Sequence, residues 1–100
     1  MSGYQIRLVS HKAEIPNLEI SVERLPVTLG RSKNADVQVL DPLVSRFQCR
    51  FEEEGGAVVL KDLRSMNGTL VNGTMIESCP LKSGDILLIG DVEFETQFAN

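Results

Sequence analysis

A period of two runs through most of this sequence and leaves few folds open. Tyr4, Ile6 and Leu8 alternate with Gln5 and Arg7, and Leu18, Ile20 and Val22 with Glu19, Ser21 and Glu23. Leu25, Val27 and Leu29 follow across Pro26 and Thr28. Phe47, Cys49 and Phe51 alternate with Gln48, Arg50 and Glu52. Val92 and Phe94 alternate with Glu93 and Glu95, a phase that Phe98 keeps. Side chains two apart in a strand share a face, so each run turns one face to a core and the other to water. No window is long and amphipathic enough to specify a helix.

Turn signals cut these runs into short strands. Glu54-Gly55-Gly56 separates residues 47–53 from 57–63, which predicts a hairpin. Asn72-Gly73 splits Thr69-Leu70-Val71 from Thr74-Met75-Ile76, and that pair suits the positive φ angles of a type I′ turn. Lys82-Ser83-Gly84-Asp85 opens the next strand and Gly90-Asp91 closes it. Many short strands at close spacing predict an all-β fold, an antiparallel β-sandwich. One domain is expected to fill residues 1–100, with its core over about 4–98; there is no repeat, low-complexity stretch or linker. A chain of 100 residues with 42% hydrophobic side chains can bury roughly two-thirds of its unfolded surface.

Composition narrows the function. The net charge of −4 argues against a nucleic-acid partner, which needs a basic surface. There is no Trp and only one Tyr, so base stacking is poorly served. The longest apolar run, Ile86-Leu87-Leu88-Ile89, is far from a membrane span, and the first residues do not resemble a signal peptide. No membrane partner and a cytoplasmic setting are the expectation. Cys49, between Phe47 and Phe51, reads as a small buried hydrophobe, and Cys79, before Pro80, as a loop residue; both are expected to be free thiols. His11, the only histidine, reads as a surface loop residue. With one His and no Cys-x-x-Cys pair, no metal and no cofactor are expected. No nucleophile sits in a pattern with a base, so the chain is not expected to be an enzyme.

Three loop segments carry more chemistry than a turn requires. They are Gly30-Arg31-Ser32-Lys33-Asn34-Ala35-Asp36, Asp41-Pro42-Leu43-Val44-Ser45-Arg46 and Leu63-Arg64-Ser65-Met66-Asn67-Gly68-Thr69. Together they hold Arg31, Lys33, Arg46 and Arg64, four of the ten basic residues of an acidic chain. If the loops meet at one end of a sandwich, they form a small basic pocket suited to a phosphate monoester. Arginine offers a bidentate fork to phosphate oxygens, and serine hydroxyls and backbone N–H groups serve the rest. Asparagine, both donor and acceptor, suits an extended peptide backbone.

These pieces resemble the forkhead-associated (FHA) domain, a phosphothreonine-peptide-binding β-sandwich. The resemblance rests on Leu29-Gly30-Arg31-Ser32, Val44-Ser45-Arg46, the segment from Asp62 to Gly73, and the closing segment from Leu81 to Gly90, in that order. It covers about residues 4–98. It implies that Arg31 binds phosphate through its guanidinium and that Ser45 donates its hydroxyl to the same phosphate. Arg46 would add a phosphate or backbone contact, Asn67 would hold the peptide main chain, and Ser65 would shape the loop. Gly30 and Gly68 would supply conformations or close approaches that a side chain would block.

Two positions depart from the family. Gln48 stands where a histidine that braces the loops is usual, and Met66 where Ser or Thr is frequent. The implied partner is a phosphothreonine-containing protein, such as a Ser/Thr kinase or its substrate. The alternative is a degenerate FHA-like scaffold that binds proteins without regard to phosphate. Flanking-residue preference would depend on the loops around Lys33, Asn34, Leu43 and Met66.

Overall fold

A computed structural model describes residues 5–99. Tyr4, where the alternation begins, lies outside them. Among the described residues, eleven strands form two sheets. They are β1 (Gln5–Ser10), β2 (Leu18–Ser21), β3 (Val27–Gly30), β4 (Val37–Gln38), β5 (Cys49–Glu54), β6 (Ala57–Asp62), β7 (Thr69–Val71), β8 (Thr74–Ile76), β9 (Ser78–Pro80), β10 (Ile86–Ile89) and β11 (Val92–Ala99). Among the described residues the only helical element is a single 3-10 turn, Val22–Arg24. One sheet runs β2-β1-β11-β10-β7-β8 and the other β4-β3-β5-β6-β9. Among the described residues every pairing is antiparallel except β3 with β4, which is parallel. The all-β sandwich is the fold expected from the alternation.

The core lies between the sheets. Ile6, Leu8, Leu29, Phe51, Leu60, Leu87, Ile89 and Phe94 are fully buried. Each such side chain contributes up to about 1.5–3 kcal/mol by leaving water. Both expected hairpins form. Glu54 pairs with Ala57 across Gly55-Gly56, and Val71 with Thr74 across Asn72-Gly73, where φ is +51° and +83°.

Two expectations need correction. Phe47 is 44% exposed, whereas Gln48 is fully buried. The alternation of β5 therefore starts at Cys49, and the residues before it follow the loop, whose polar groups need Gln48 inside. Cys79 lies in β9 rather than in a loop, because residues 78–80 pair with residues 59–61 as an edge strand. Edge positions accept proline because its missing N–H faces no ladder partner there. Glu52, on the outer face of β5, is part-buried and paired with Arg50 and Lys61. Cys49 is fully buried, and both cysteines are free thiols. His11 is exposed and 3.0 Å from Glu93.

Strand pairing sorts the connections by end. The tight turns at Gly55-Gly56 and Asn72-Gly73 lie at one end. The long segments after β3, before β5 and between β6 and β7 lie at the other, together with the β10–β11 turn and the β1–β2 loop.

Candidate functional site

The three loops do meet. Arg31, Leu43, Ser45, Arg46, Arg64, Ser65, Met66 and Asn67 line one open groove of about 780 Å³. Lys33 does not line it. All five candidate residues, Arg31, Ser45, Arg46, Ser65 and Asn67, are therefore together.

Arg31 leaves the end of β3, where its backbone N–H donates to the Ser45 carbonyl at 3.0 Å and the Ser32 N–H to the Arg46 carbonyl at 3.1 Å. These bonds draw the chain after β3 onto the loop before β5. The approach is so close that a Cβ on Gly30 would lie 2.0 Å from the Arg46 carbonyl oxygen, so glycine is required there. Arg31 Nε donates to the Val44 carbonyl at 2.9 Å, which fixes the guanidinium and leaves its terminal nitrogens for a ligand. Beside it, residues 31–36 are closed by Asp36. Its carboxylate accepts the Thr28 N–H at 2.9 Å and the Thr28 hydroxyl at 3.0 Å. The Thr28 N–H, then its hydroxyl, holds that carboxyl below the usual range.

Ser45 is positioned from two sides. Its N–H donates to Gln48 Oε1 at 2.9 Å, and its hydroxyl oxygen accepts the Met66 N–H at 2.8 Å. A hydroxyl that accepts still has its own proton to donate. Gln48 Nε2 donates to the Gly68 carbonyl and the Thr69 hydroxyl, both at 3.0 Å. Gln48 thus joins the two loops from beneath, so the side chain that departs from the family pattern still makes a brace.

The third loop is organised by Asp62. One carboxylate oxygen accepts the Ser65 N–H at 3.1 Å, and the other accepts the hydroxyls of Ser65 and Thr69 at 2.5 and 2.8 Å. Ser65 thus spends its hydroxyl on loop shape. Arg64 takes φ +56°, a left-handed conformation uncommon outside glycine. Gly68 has φ +84°, which any Cβ would strain. Asn67 Nδ2 donates to the Leu43 carbonyl at 3.2 Å across the groove. Met66 is 87% exposed at the rim.

Sequence reasoning missed three polar residues that build the site. Asp41 is 3% exposed; it accepts the Leu43 N–H and pairs with Lys12 at 2.8 Å. The Lys12 ammonium is the main cause that holds the Asp41 carboxyl below the usual range, against the opposing effect of burial. Asp41-Pro42 and Asp62 before Leu63-Arg64-Ser65 carry local turn signals that could have flagged them. Lys12, 29 residues from Asp41, carries none.

Electrostatics gives the groove its character. Among the described residues, no carboxylate lies within ion-pair distance of Arg31, Arg46 or Arg64. Three unpaired guanidiniums beside a hydroxyl create a field suited to a multivalent anion.

Comparisons with known proteins agree with this geometry. A model of the FHA domain matches residues 27–90. The glycogen accumulation regulator GarA of Mycolicibacterium smegmatis is 39% identical over 61 residues, 61% of this chain and 39% of that protein. The chain spans less than half the length of such curated relatives. Among solved structures, one from work on phosphothreonine-dependent FHA domain interactions superposes with a TM-score of 0.82 at 25% identity, covering 93% of this chain and 95% of that one. Mycobacterium tuberculosis EmbR, in complex with a low-affinity phosphopeptide, superposes with a TM-score of 0.84 at 26% identity, over 95% of this chain and 24% of that one. The loops, the groove and the match over residues 27–90 lead to one conclusion: the chain belongs to the FHA domain family.

Proposed function

We propose that this chain is a phosphopeptide-recognition module that binds phosphothreonine in extended segments of partner proteins within Ser/Thr kinase signalling. The observation that carries the reading is the convergence of Arg31, Arg46, Arg64 and the Ser45 hydroxyl on one groove that holds no carboxylate partner for them among the described residues. A phosphothreonine brings a charge of about −1.5 to −2 and three acceptor oxygens. Arg31 supplies two terminal donors, and Ser45 supplies its proton. Asn67, at the far side, serves the peptide main chain, and Ser65 holds the loop.

The reading needs binding and no chemistry, so it assigns no catalysis, cofactor or metal. The partner is a kinase or one of its substrates, recognised through the phosphate, and the setting is the cytoplasm. Residues 1–100 act as one domain. Among the described residues no helix is long and apolar enough to cross a membrane. The similar structure from work on phosphothreonine-dependent FHA domain interactions, and that of EmbR in complex with a low-affinity phosphopeptide, lend support.

The test is a titration with degenerate phosphothreonine, phosphoserine and unphosphorylated peptide pools. Binding is expected to be strongest for the phosphothreonine pool, weaker by about five-fold for the phosphoserine pool, and absent for the unphosphorylated pool. Burial of the γ-methyl group by the groove would distinguish threonine from serine by about 1 kcal/mol. Equal binding to all three pools would instead identify a phosphate-independent scaffold.

A further inference from the structure

Lys12 and Asp91 lie outside the groove and outside the residues that match the family model. Lys12 Nζ nevertheless bridges two carboxylates, Asp41 Oδ2 at 2.8 Å and Asp91 Oδ2 at 3.1 Å. Asp41 is almost fully buried, so its charge depends on that partner. From Asp41, bonds fan into the loop that precedes β5. Oδ1 accepts the Leu43 N–H at 2.9 Å, and the Asp41 carbonyl accepts the Val44 N–H at 3.0 Å. One step on, the Val44 carbonyl holds Arg31 Nε at 2.9 Å and the Leu43 carbonyl holds Asn67 Nδ2 at 3.2 Å. The turn beneath leaves no slack. A Cβ on Gly90 would lie 2.8 Å from Val44 Cγ2 and 2.9 Å from the Leu43 carbonyl carbon.

Resting on the function proposed above, we infer that Lys12 is a positioning residue for ligand binding. By clamping Asp41 to Asp91, it fixes residues 41–46 in the arrangement that presents Arg31, Ser45 and Asn67 to a phosphopeptide. The β1–β2 loop, which grows from the opposite sheet, is then part of the binding machinery. An exposed ion pair would have little such leverage. Here one partner is buried and bonded to the loop backbone, so loss of the ammonium releases the loop rather than a surface contact.

The experiment compares the unaltered chain with Lys12→Met, Lys12→Gln and Lys12→Arg. Val58→Ala, a core change in β6 at the far end of the sandwich, serves as a stability control. Amide hydrogen exchange at Leu43 and Val44 is read without ligand, and affinity is read with the phosphothreonine pool. Lys12→Met is expected to speed exchange at both amides and to weaken binding at least about five-fold, the lower end of typical coupling between sites. Lys12→Arg should recover both readouts, and Val58→Ala should move neither. Lys12→Gln, which keeps a donor, should show a smaller loss and serves if Lys12→Met does not fold. Unchanged exchange and affinity in folded Lys12→Met or Lys12→Gln would overturn the inference. So would an equal loss of affinity in Val58→Ala. Absence of phosphate-dependent binding in the unaltered chain would instead overturn the proposed function, and the positioning role with it.

Discussion

Gln48 Oε1 accepts the backbone N–H of Ser45 at 2.9 Å, and this bond is one end of a bridge under the groove. The other end is the pair of bonds from Gln48 Nε2 to Gly68 and Thr69. All of this happens at a side chain with no exposure. Gln48→Leu removes every polar atom of the bridge while nearly keeping its volume. The Ser45 N–H and the Gly68 carbonyl then lose their partners. Unsatisfied buried groups cost about 1–3 kcal/mol each. The expected outcome is a melting temperature lower by about 4–8 °C per kcal/mol lost, with weaker phosphopeptide binding. An unchanged melting curve would show that the bridge is dispensable.

Gly30 touches the same loop from above. Its missing Cβ would lie 2.0 Å from a backbone oxygen, which cannot move aside as a flexible side chain could. Gly30→Ala is therefore expected to cost more than about 3 kcal/mol, beyond ordinary overpacking, or to prevent folding. Chemical denaturation with far-ultraviolet circular dichroism checks this. Gly55→Ala is the companion measurement. Gly55 has φ +58° but open space around it, so only the smaller backbone strain should appear.

Asp41 gives the fold a dependence on acid. Its carboxyl is held below the usual range, chiefly by Lys12. A group depressed in this way contributes stability above its unfolded pKa of about 3.9 and loses it as pH falls through the lower folded value. The urea midpoint should therefore drop as pH is lowered from 6 to 3. Asp41→Asn, which cannot titrate, should start lower at pH 6 and fall less over the same interval. Parallel curves for the two proteins would remove Asp41 from the acid response.

Met66 stands at the groove rim with a thioether that donates nothing. Met66→Thr puts a hydroxyl there. One added hydrogen bond to a ligand is worth roughly 0.5–1.5 kcal/mol, so affinity for the phosphothreonine pool should rise about two- to ten-fold. A loss of affinity would indicate that Met66 contacts the peptide through its apolar surface.

The sequence made the sandwich legible because alternation and turn chemistry are local. Leu8 and Phe94 meet the core as their neighbours' polarity requires, and Asn72-Gly73 turns as its φ preferences dictate. The loop motifs were equally readable, since Gly30-Arg31-Ser32 and Val44-Ser45-Arg46 are contiguous. What stayed hidden depends on partners distant in sequence. Gln48 breaks the alternation because its amide must reach Gly68, 20 residues away. Lys12 meets Asp41 across 29 residues and Asp91 across 79. The β9 strand at Cys79 exists only because β6 offers it a free edge. No short pattern announces such pairings.

In the proposed function, Arg31 reads the phosphate. Calorimetric titration of the unaltered chain and of Arg31→Ala with the same phosphothreonine pool tests it most directly, with the melting temperature of each protein recorded alongside. Charge-assisted hydrogen bonds are worth about 1.5–3 kcal/mol each, so Arg31→Ala should weaken binding by at least roughly ten-fold while remaining folded. Equal affinity in the two folded proteins would show that Arg31 does not bind the phosphate.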